Sequence, residues 1–537
     1  MDMDDFDPSR VLTIGRNASL GGWQGRYIAL LYDIDNLHLG QACRPSFPLQ
    51  IAIEASHLSR HEASHLVYLT QHALDDGNEF SAHHLRLQLT DTRDPEEHVS
   101  TPGDNKKGAP RRRQSFSSSQ RQGQSLTVRL IADHDIQTPQ SKLQQHSTIL
   151  DITYPPSQIP SPVASSSTLA VYIAHDLESL YSEEKALLEY VLTTSSASNT
   201  QANAREGRPR QGRSISSEAA SKLAHRMTRS LKFASTYHLT ISLFTPTSSP
   251  NSWDIEAAIQ EYLEPLLKSL SSVSHFTVDT QVQLYAKFAP STPPPQYDAE
   301  IEAFTLRTED LSGFINAAEW PLSPSIGSGP TLNFILYVPH PANSPLVVRE
   351  KGSTNWLIPQ WGGVVIHDSD NSTSIPNKIT KEQLRRPLMT FSHQLLSLLG
   401  SPQSPPSLPL QLQTLVRVQA AQVLLSASAT LGSLASLTVA LPSIAIPETV
   451  SMAVDNTLLQ LKNTCAALRE GRFEAALDHA RIAETQAEKG FFEKSMVGQV
   501  YFPDEHKVAV YLPLLGPVGV PLLMSAVKEI RQYLARR

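Results

Sequence analysis

The sequence predicts a large mixed α/β body, a helical C-terminal part and one transmembrane helix at the end. Three observations carry this. Strand-like and helix-like runs alternate through the first 400 or so residues. Beyond residue 380 apolar side chains recur at helical spacing, as in Leu384, Leu388, Phe391 and Leu395. Finally, Val508 to Val527 reads VAVYLPLLGPVGVPLLMSAV and carries no charge. At helical rise such a run spans roughly 30 Å, the hydrocarbon thickness of a bilayer.

Residues 1–91 form a weakly patterned N-terminal part of the body. Within it, Pro48 to Glu54 (PLQIAIE) and His84 to Thr90 (HLRLQLT) alternate like strands. A histidine-rich stretch, His57 to His72, separates them and shows no long apolar helix. Residues 92–124 are charged and polar, which predicts a disordered loop. The basic run Lys106, Lys107 and Arg111 to Arg113 lies there without interleaved aromatics, so it reads as solvated and not as a nucleic-acid patch.

The α/β domain is expected over 125–400. Leu126 to Ile131, Ile149 to Tyr154 and Leu169 to Ala174 are predicted strands, and Glu183 to Leu192 a helix. A low-complexity insertion occupies 193–213. Ser217 to Phe233 reads as an amphipathic helix. Tyr237 to Phe244 is a strand. Asn251 or Ser252 is placed to cap a helix whose apolar face is Ile255, Ile259, Tyr262, Leu266 and Leu270. His275 to Phe288, rich in Val and Thr, is a strand. Leu332 to Val338 (LNFILYV) is apolar on both faces, the mark of a central parallel strand, and Gly362 to Ile366 is another strand.

Residues 401–500 read as helical. Val418 to Ile446 has no charge, but its glutamines, serines and threonines fit a soluble core helix better than a membrane span. Thr449 to Leu468 and Arg472 to Glu488 make a helical hairpin turned at Gly471, and the alanines of FEAALDHARIAE predict close packing. A transmembrane helix over 508–527 and a basic tail over 528–537 follow. Lys528, Arg531, Arg536 and Arg537 lie after the span, whereas Asp504, Glu505, His506 and Lys507 precede it. The positive-inside bias puts the tail in the cytosol and the body in a lumen. Pro513, Pro517 and Pro521, four apart, share one face with weakened carbonyl acceptors behind them. With Gly516 and Gly519 they predict a packing face for other membrane helices.

Composition bounds the function. The 537 residues carry a net charge of -7, which gives no reason to expect nucleic acid as a partner. Two cysteines, Cys43 and Cys465, exclude a disulfide scaffold and leave a single bridge open. The opening MDMDDFDPSR is acidic and has no secretory character.

Candidate chemistry is sparse. His61-Glu62-Ala63-Ser64-His65 matches H-E-x-x-H, in which histidines at i and i+4 hold zinc and the glutamate activates water, with Glu79 or His83 as a third ligand. A membrane-anchored zinc hydrolase is therefore one reading. A tail-anchored binding protein with a cytosolic body is another. There is no nucleophile elbow, phosphate-binding loop or dinucleotide fingerprint, and neither cysteine has a recognisable catalytic context. No catalytic, cofactor or metal residue is predicted. Asn17-Ala18-Ser19 and Asn371-Ser372-Thr373 are glycosylation sequons, and a luminal body would expose Asn371 in a polar loop.

Leu332 onward carries a family resemblance. LNFILYVPHPANSPLVV, followed by NWLIPQWGGVVI (Asn355 to Ile366), resembles the PIG-S family of glycosylphosphatidylinositol (GPI) transamidase subunits. The Tyr-Val-Pro strand end, the Ser344-Pro345-Leu346 turn and Trp361-Gly362-Gly363 recur in that order. Thr240 to Leu267, His275 to Tyr285 and Tyr501 to Leu523 are similar to the family too. The resemblance implies a non-catalytic subunit of an endoplasmic reticulum membrane complex that joins GPI lipid to the C-termini of proproteins. It implies a large luminal α/β domain, catalysis in a cysteine-protease-like PIG-K subunit, and PIG-T, PIG-U and GAA1-like partners. It also implies a second membrane helix near the N-terminus. None is visible, so the expectation is a truncated or misassigned start.

Overall fold

The computed structural model describes residues 45–90, 124–198, 217–288, 292–311, 329–350, 352–368, 377–440, 446–496 and 504–535. The disordered loop expected at 92–124 lies outside these residues up to 123, as does most of the low-complexity insertion. Two compact units are present. Among the described residues, one is built from Ser46–Gln422 with Ala467–Leu477 and the other from Val423–Ala466 with Asp478–Arg537.

The larger unit holds two five-stranded sheets. The first contains β1 (Phe47–Glu54), β2 (His83–Leu89), β3 (Gln124–Ala132), β4 (Gln140–Leu143) and β5 (Ile149–Tyr154), in the order β2-β1-β3-β5-β4. The second contains β6 (Thr236–Phe244), β8 (His275–Gln283), β11 (Thr331–Tyr337), β13 (Asn355–Ile358) and β14 (Gly362–Ile366), in the order β13-β14-β11-β6-β8. Both sheets follow one plan. A first strand pairs in parallel with a second strand at the edge; a third strand pairs on its other side; a fourth, parallel, is flanked by its own antiparallel hairpin partner. Small pairings accompany them: β7 (Ser252–Trp253) with β15 (Lys378–Ile379), and β10 (Ala303–Leu306) between β9 (Gln296–Asp298) and β12 (Leu346–Val348).

Strand β11 occupies the centre of its sheet, and all its residues after Thr331 are buried, as its two-faced apolar run requires. Strand β8 ends at Gln283, short of the expected Phe288. Tyr285 follows with φ 57°, a left-handed conformation that cannot continue a strand.

The first sheet's crossover is helix α1 (Arg60–Gly77), in the histidine-rich stretch where no long helix was expected. Ala63, Leu66, Leu69, Thr70 and Leu74 are buried at helical spacing, and a capping box starts the helix. The strand expected at Leu169 to Ala174 is instead helix α2 (Thr168–Leu180). Its β-branched and aromatic residues favour a strand locally. The burial of Leu169, Ala170, Ile173, Ala174 and Leu177 on one helical face overrides that, and Ser167 caps the start. Helix α3 (Ser182–Ser198) contains the predicted Glu183 to Leu192 and runs on through the first six residues of the expected low-complexity insertion, and α4 (Ser217–Arg229) begins where predicted but stops short of Phe233.

Helix α5 begins with Ile255–Ala258 and continues through a π-helical turn, Ile259–Leu263, into Glu264–Ser269. Asp254, not Asn251 or Ser252, is the N-cap, because Ser252 and Trp253 pair with β15. The π turn ends at Leu263, two residues before Pro265, which has no amide to donate. It shifts the face by one residue, so Leu263 is buried where Tyr262 was expected. Helix α6 (Lys381–Leu398) follows with a capping box from Thr380 and Gln383.

Helices α7 (Leu408–Ala440), α8 (Glu448–Arg469) and α9 (Phe473–Phe491) match the helical segment, and Gly471 turns the hairpin at φ 74°. In the smaller unit the expected close packing is present. Ala480, Ala483 and Ala487 are fully buried, and a Cβ on Gly490 would lie 3.5 Å from that of Ala453. Helix α10 (Asp504–Ala535) is the last element.

Candidate functional site

Helix α10 runs unbroken through Pro513, Pro517 and Pro521. From Val510 on, its described side chains are almost all exposed, among them Leu512, Leu515, Leu522, Leu523 and Met524, each at 65–69%. A soluble helix hides one apolar face; this one shows apolar residues all round. Gly516 and Gly519 have no atom within 4 Å of where a Cβ would stand. The surface is therefore open for another helix to approach. Among the described residues, the one helix long and apolar enough by length and composition to cross a membrane is Leu408–Thr438 within α7, and half of it is buried inside the protein, as in a core helix.

The HEASH segment is occupied with structural work. Glu62 is the third residue of α1: its carboxylate accepts from the Ser59 amide (3.0 Å) and hydroxyl (2.6 Å), while the Glu62 amide donates to Ser59 Oγ. These hydrogen bonds hold the Glu62 carboxyl below its usual value. His65 Nε2 lies 3.0 Å from the Ala164 carbonyl oxygen, and His61 is exposed. His83 is buried in β2, facing Glu184. Among the described residues no group of three His, Cys, Asp or Glu side chains is arranged to hold a metal.

A buried ionic cluster was not anticipated from the sequence. Arg417 on α7 donates through Nε and Nη2 to the two carboxylate oxygens of Glu184 on α3, both at 2.6 Å. Thr414 Oγ1 donates to the same carboxylate at 2.5 Å, and His83 Nε2 stands 3.4 Å away. Glu184, Arg417 and His83 are 2%, 1% and 3% exposed. Burial pushes the Glu184 carboxyl up, but Arg417 and the hydrogen bonds more than offset it, and it is held well below the usual carboxylate range. The Phe473 ring lies under the guanidinium at 5.3 Å and stacks on Phe47. The missed signal was Arg417 itself, a single charge inside LPLQLQTLVRVQAAQVLL. A lone charge in an apolar helix needs a buried partner. This bidentate, neutral pair locks α7 against α3.

The family motif falls in the core of the second sheet. The Asp368 carboxylate accepts from Ser344 Oγ (3.0 Å) and the Leu346 amide (3.2 Å), pinning the Ser344-Pro345-Leu346 turn; burial nonetheless raises its carboxyl pKa. Trp361 packs on the cluster of Phe244, Ile335, Tyr337 and Val364. A Cβ on Gly362, at φ 153°, would lie 1.8 Å from the Asn333 carbonyl oxygen, and one on Gly363 would meet Gln394 Oε1 at 2.1 Å. Gln394 in turn donates to the Trp356 carbonyl at 3.0 Å. The motif therefore shapes a strand and its covering helix.

Asn17 and Asn371 lie outside the described residues, as does Cys43. Cys465 is buried and disulfide-bonded.

Comparison with known proteins agrees with the resemblance. The family described as phosphatidylinositol-glycan biosynthesis class S protein, PIG-S, matches residues 30–536. The chain is 33% identical over 325 residues to a rat (Rattus norvegicus) protein named GPI-anchor transamidase component PIGS, covering 56% of this chain and 58% of that one. It is 33% identical over 330 residues to the Schizosaccharomyces pombe GPI transamidase component PIG-S homolog, covering 58% and 56%. To the Saccharomyces cerevisiae GPI transamidase component GPI17 it is 28% identical over 316 residues, covering 54% and 56%. The chain thus spans under three fifths of the length of these relatives. With the family matched across nearly all of its described elements, this chain belongs to the PIG-S family.

Proposed function

We propose that this chain is a non-catalytic subunit of the endoplasmic reticulum GPI transamidase and supports assembly of the complex that attaches GPI anchors to proprotein C-termini. The observation that carries this is the PIG-S match over residues 30–536, joined to relatives named as transamidase components. Its partners on this reading are PIG-K, PIG-T, PIG-U and GAA1-like subunits, with PIG-K supplying the cysteine chemistry.

The body is luminal and α10 is the anchor. The basic excess after residue 527 supports that orientation. So does Cys465, because disulfides persist in oxidising compartments. Asn371 and Asn17 are then accessible for glycosylation. Pro513, Pro517, Pro521, Gly516 and Gly519 form the face on which neighbouring membrane helices pack.

Depleting the chain in its own cells tests the role. GPI-anchored proteins should be lost from the surface and proproteins should accumulate with their C-terminal peptides uncleaved. The purified chain alone should not cleave such a proprotein. Normal anchoring after depletion, or cleavage by the isolated chain, contradicts the proposal.

A further inference from the structure

The apolar run of α10 ends at Val527, but the helix continues through eight more residues, Lys528 to Ala535. At about 1.5 Å per residue these carry it roughly 12 Å past the end of the run. Lipid headgroups occupy roughly the first 5–8 Å beyond the hydrocarbon on each side of a bilayer. Lys528 therefore stands at the edge of the hydrocarbon, and Arg531, about 6 Å from Val527 along the axis, at headgroup depth.

This end of α10 is basic and unpartnered. Lys528 and Arg531 are exposed, and among the described residues neither makes an ion pair or a side-chain hydrogen bond. Glu529 is the one acidic side chain after Glu505, and it lies about 100° round the helix from Lys528 and farther from Arg531. Arg536 and Arg537 add two more positive charges in the sequence. Lys528 follows Pro521 by seven residues and Arg531 follows Pro517 by fourteen, so both continue the proline face. Ile530 and Tyr533 project from the other side and are exposed, as is Leu534. Apolar and tyrosine side chains at this depth fix the helix end in the interface, which leaves the two cations level with phosphate.

We propose that Lys528 and Arg531 hold the phosphate of an anionic phospholipid at the foot of the proline face. This rests on the reading of α10 as the membrane anchor. The guanidinium donates to two phosphate oxygens, and the ammonium to a third oxygen or to the acidic group of the headgroup. Position and charge select a lipid over an acidic side chain of a neighbouring helix. Phosphates surround the helix at this depth on every side, and anionic lipids are concentrated in the cytosolic leaflet, where the tail is proposed to lie.

Native mass spectrometry of the full chain in detergent, with phosphatidylserine and phosphatidylcholine added in equal amounts, tests this. The parent should retain phosphatidylserine about 5–20-fold over phosphatidylcholine, and added salt should lower that ratio. Lys528→Gln with Arg531→Gln should bring the ratio close to one, whereas Lys507→Gln, on the other side of the run, should leave it unchanged. Flotation of the parent with phosphatidylcholine vesicles, after detergent removal, checks the anchor separately. A chain that does not float overturns the anchor and this site with it. A chain that floats but shows no lipid preference, or whose preference survives both salt and the double variant, overturns the site alone. So does a double variant that keeps the parent ratio yet loses co-purifying membrane subunits, because the pair then meets an acidic group of a protein.

Discussion

Gly362 shows at a single residue what the family motif does. Its α-hydrogen faces the Asn333 carbonyl oxygen at a distance no side chain tolerates, and its φ of 153° disfavours other residues. Gly362→Ala should therefore destabilise the fold by at least about 2 kcal/mol, read as a lowered melting temperature. An unchanged melt would show that the motif is kept for another reason. The buried pair gives a second test. Glu184→Gln or Arg417→Met alone leaves a buried charge unmatched and should cost about 3–5 kcal/mol, whereas Glu184→Leu with Arg417→Met should recover much of the loss. The pH sign follows from the lowered Glu184 pKa. Its contribution is complete above the ordinary value of 4.5 and fades as pH falls below it. Melting temperatures of the parent should fall in acid more steeply than those of the double variant.

At the scale of elements, period made most of the strands and helices legible. Strand β11 announced itself by apolar residues on both faces, and the α8–α9 hairpin by Gly471. Helix α2 was misread because LAVYIA contains good strand formers, and only burial on one face turns it helical. The N-terminus of α1 was written in the sequence as Ser59 and Glu62 three apart, but the same Glu62 falls in an H-E-x-x-H match, so it was weighed for zinc chemistry and not as a capping residue. The π turn before Pro265 displaces a face by one residue, which no fixed period foresees. The ionic cluster joins residues more than two hundred positions apart, so the sequence alone could not show that pairing. For α10 the expected result concerns its partners. Replacing Pro513, Pro517 and Pro521 with leucine should leave the helix inserted, since leucine favours helix and lipid alike. Recovery of partner subunits in detergent should fall several-fold. Undiminished recovery would leave α10 as an anchor alone.

For the molecule as a whole, two sheets with the same strand order, directions and hairpin edge give one body two similar frameworks. No repeat is visible in the sequence, because the shared plan lies in connectivity and each sheet has its own packing. The family motif belongs to the second sheet, and the ionic cluster reaches the first through His83 on β2. The luminal assignment is tested by thiol tagging of denatured, unreduced protein taken from cells. Cys465 should be unreactive until reductant is added, and a reactive Cys465 would remove that support for the lumen. The most direct measurement of the central claim is mass spectrometry of what co-purifies with the tagged full chain from detergent-solubilised membranes. The account predicts the other transamidase subunits in near-stoichiometric amounts. Their absence, under conditions that keep the complex intact when another subunit is tagged, would contradict it.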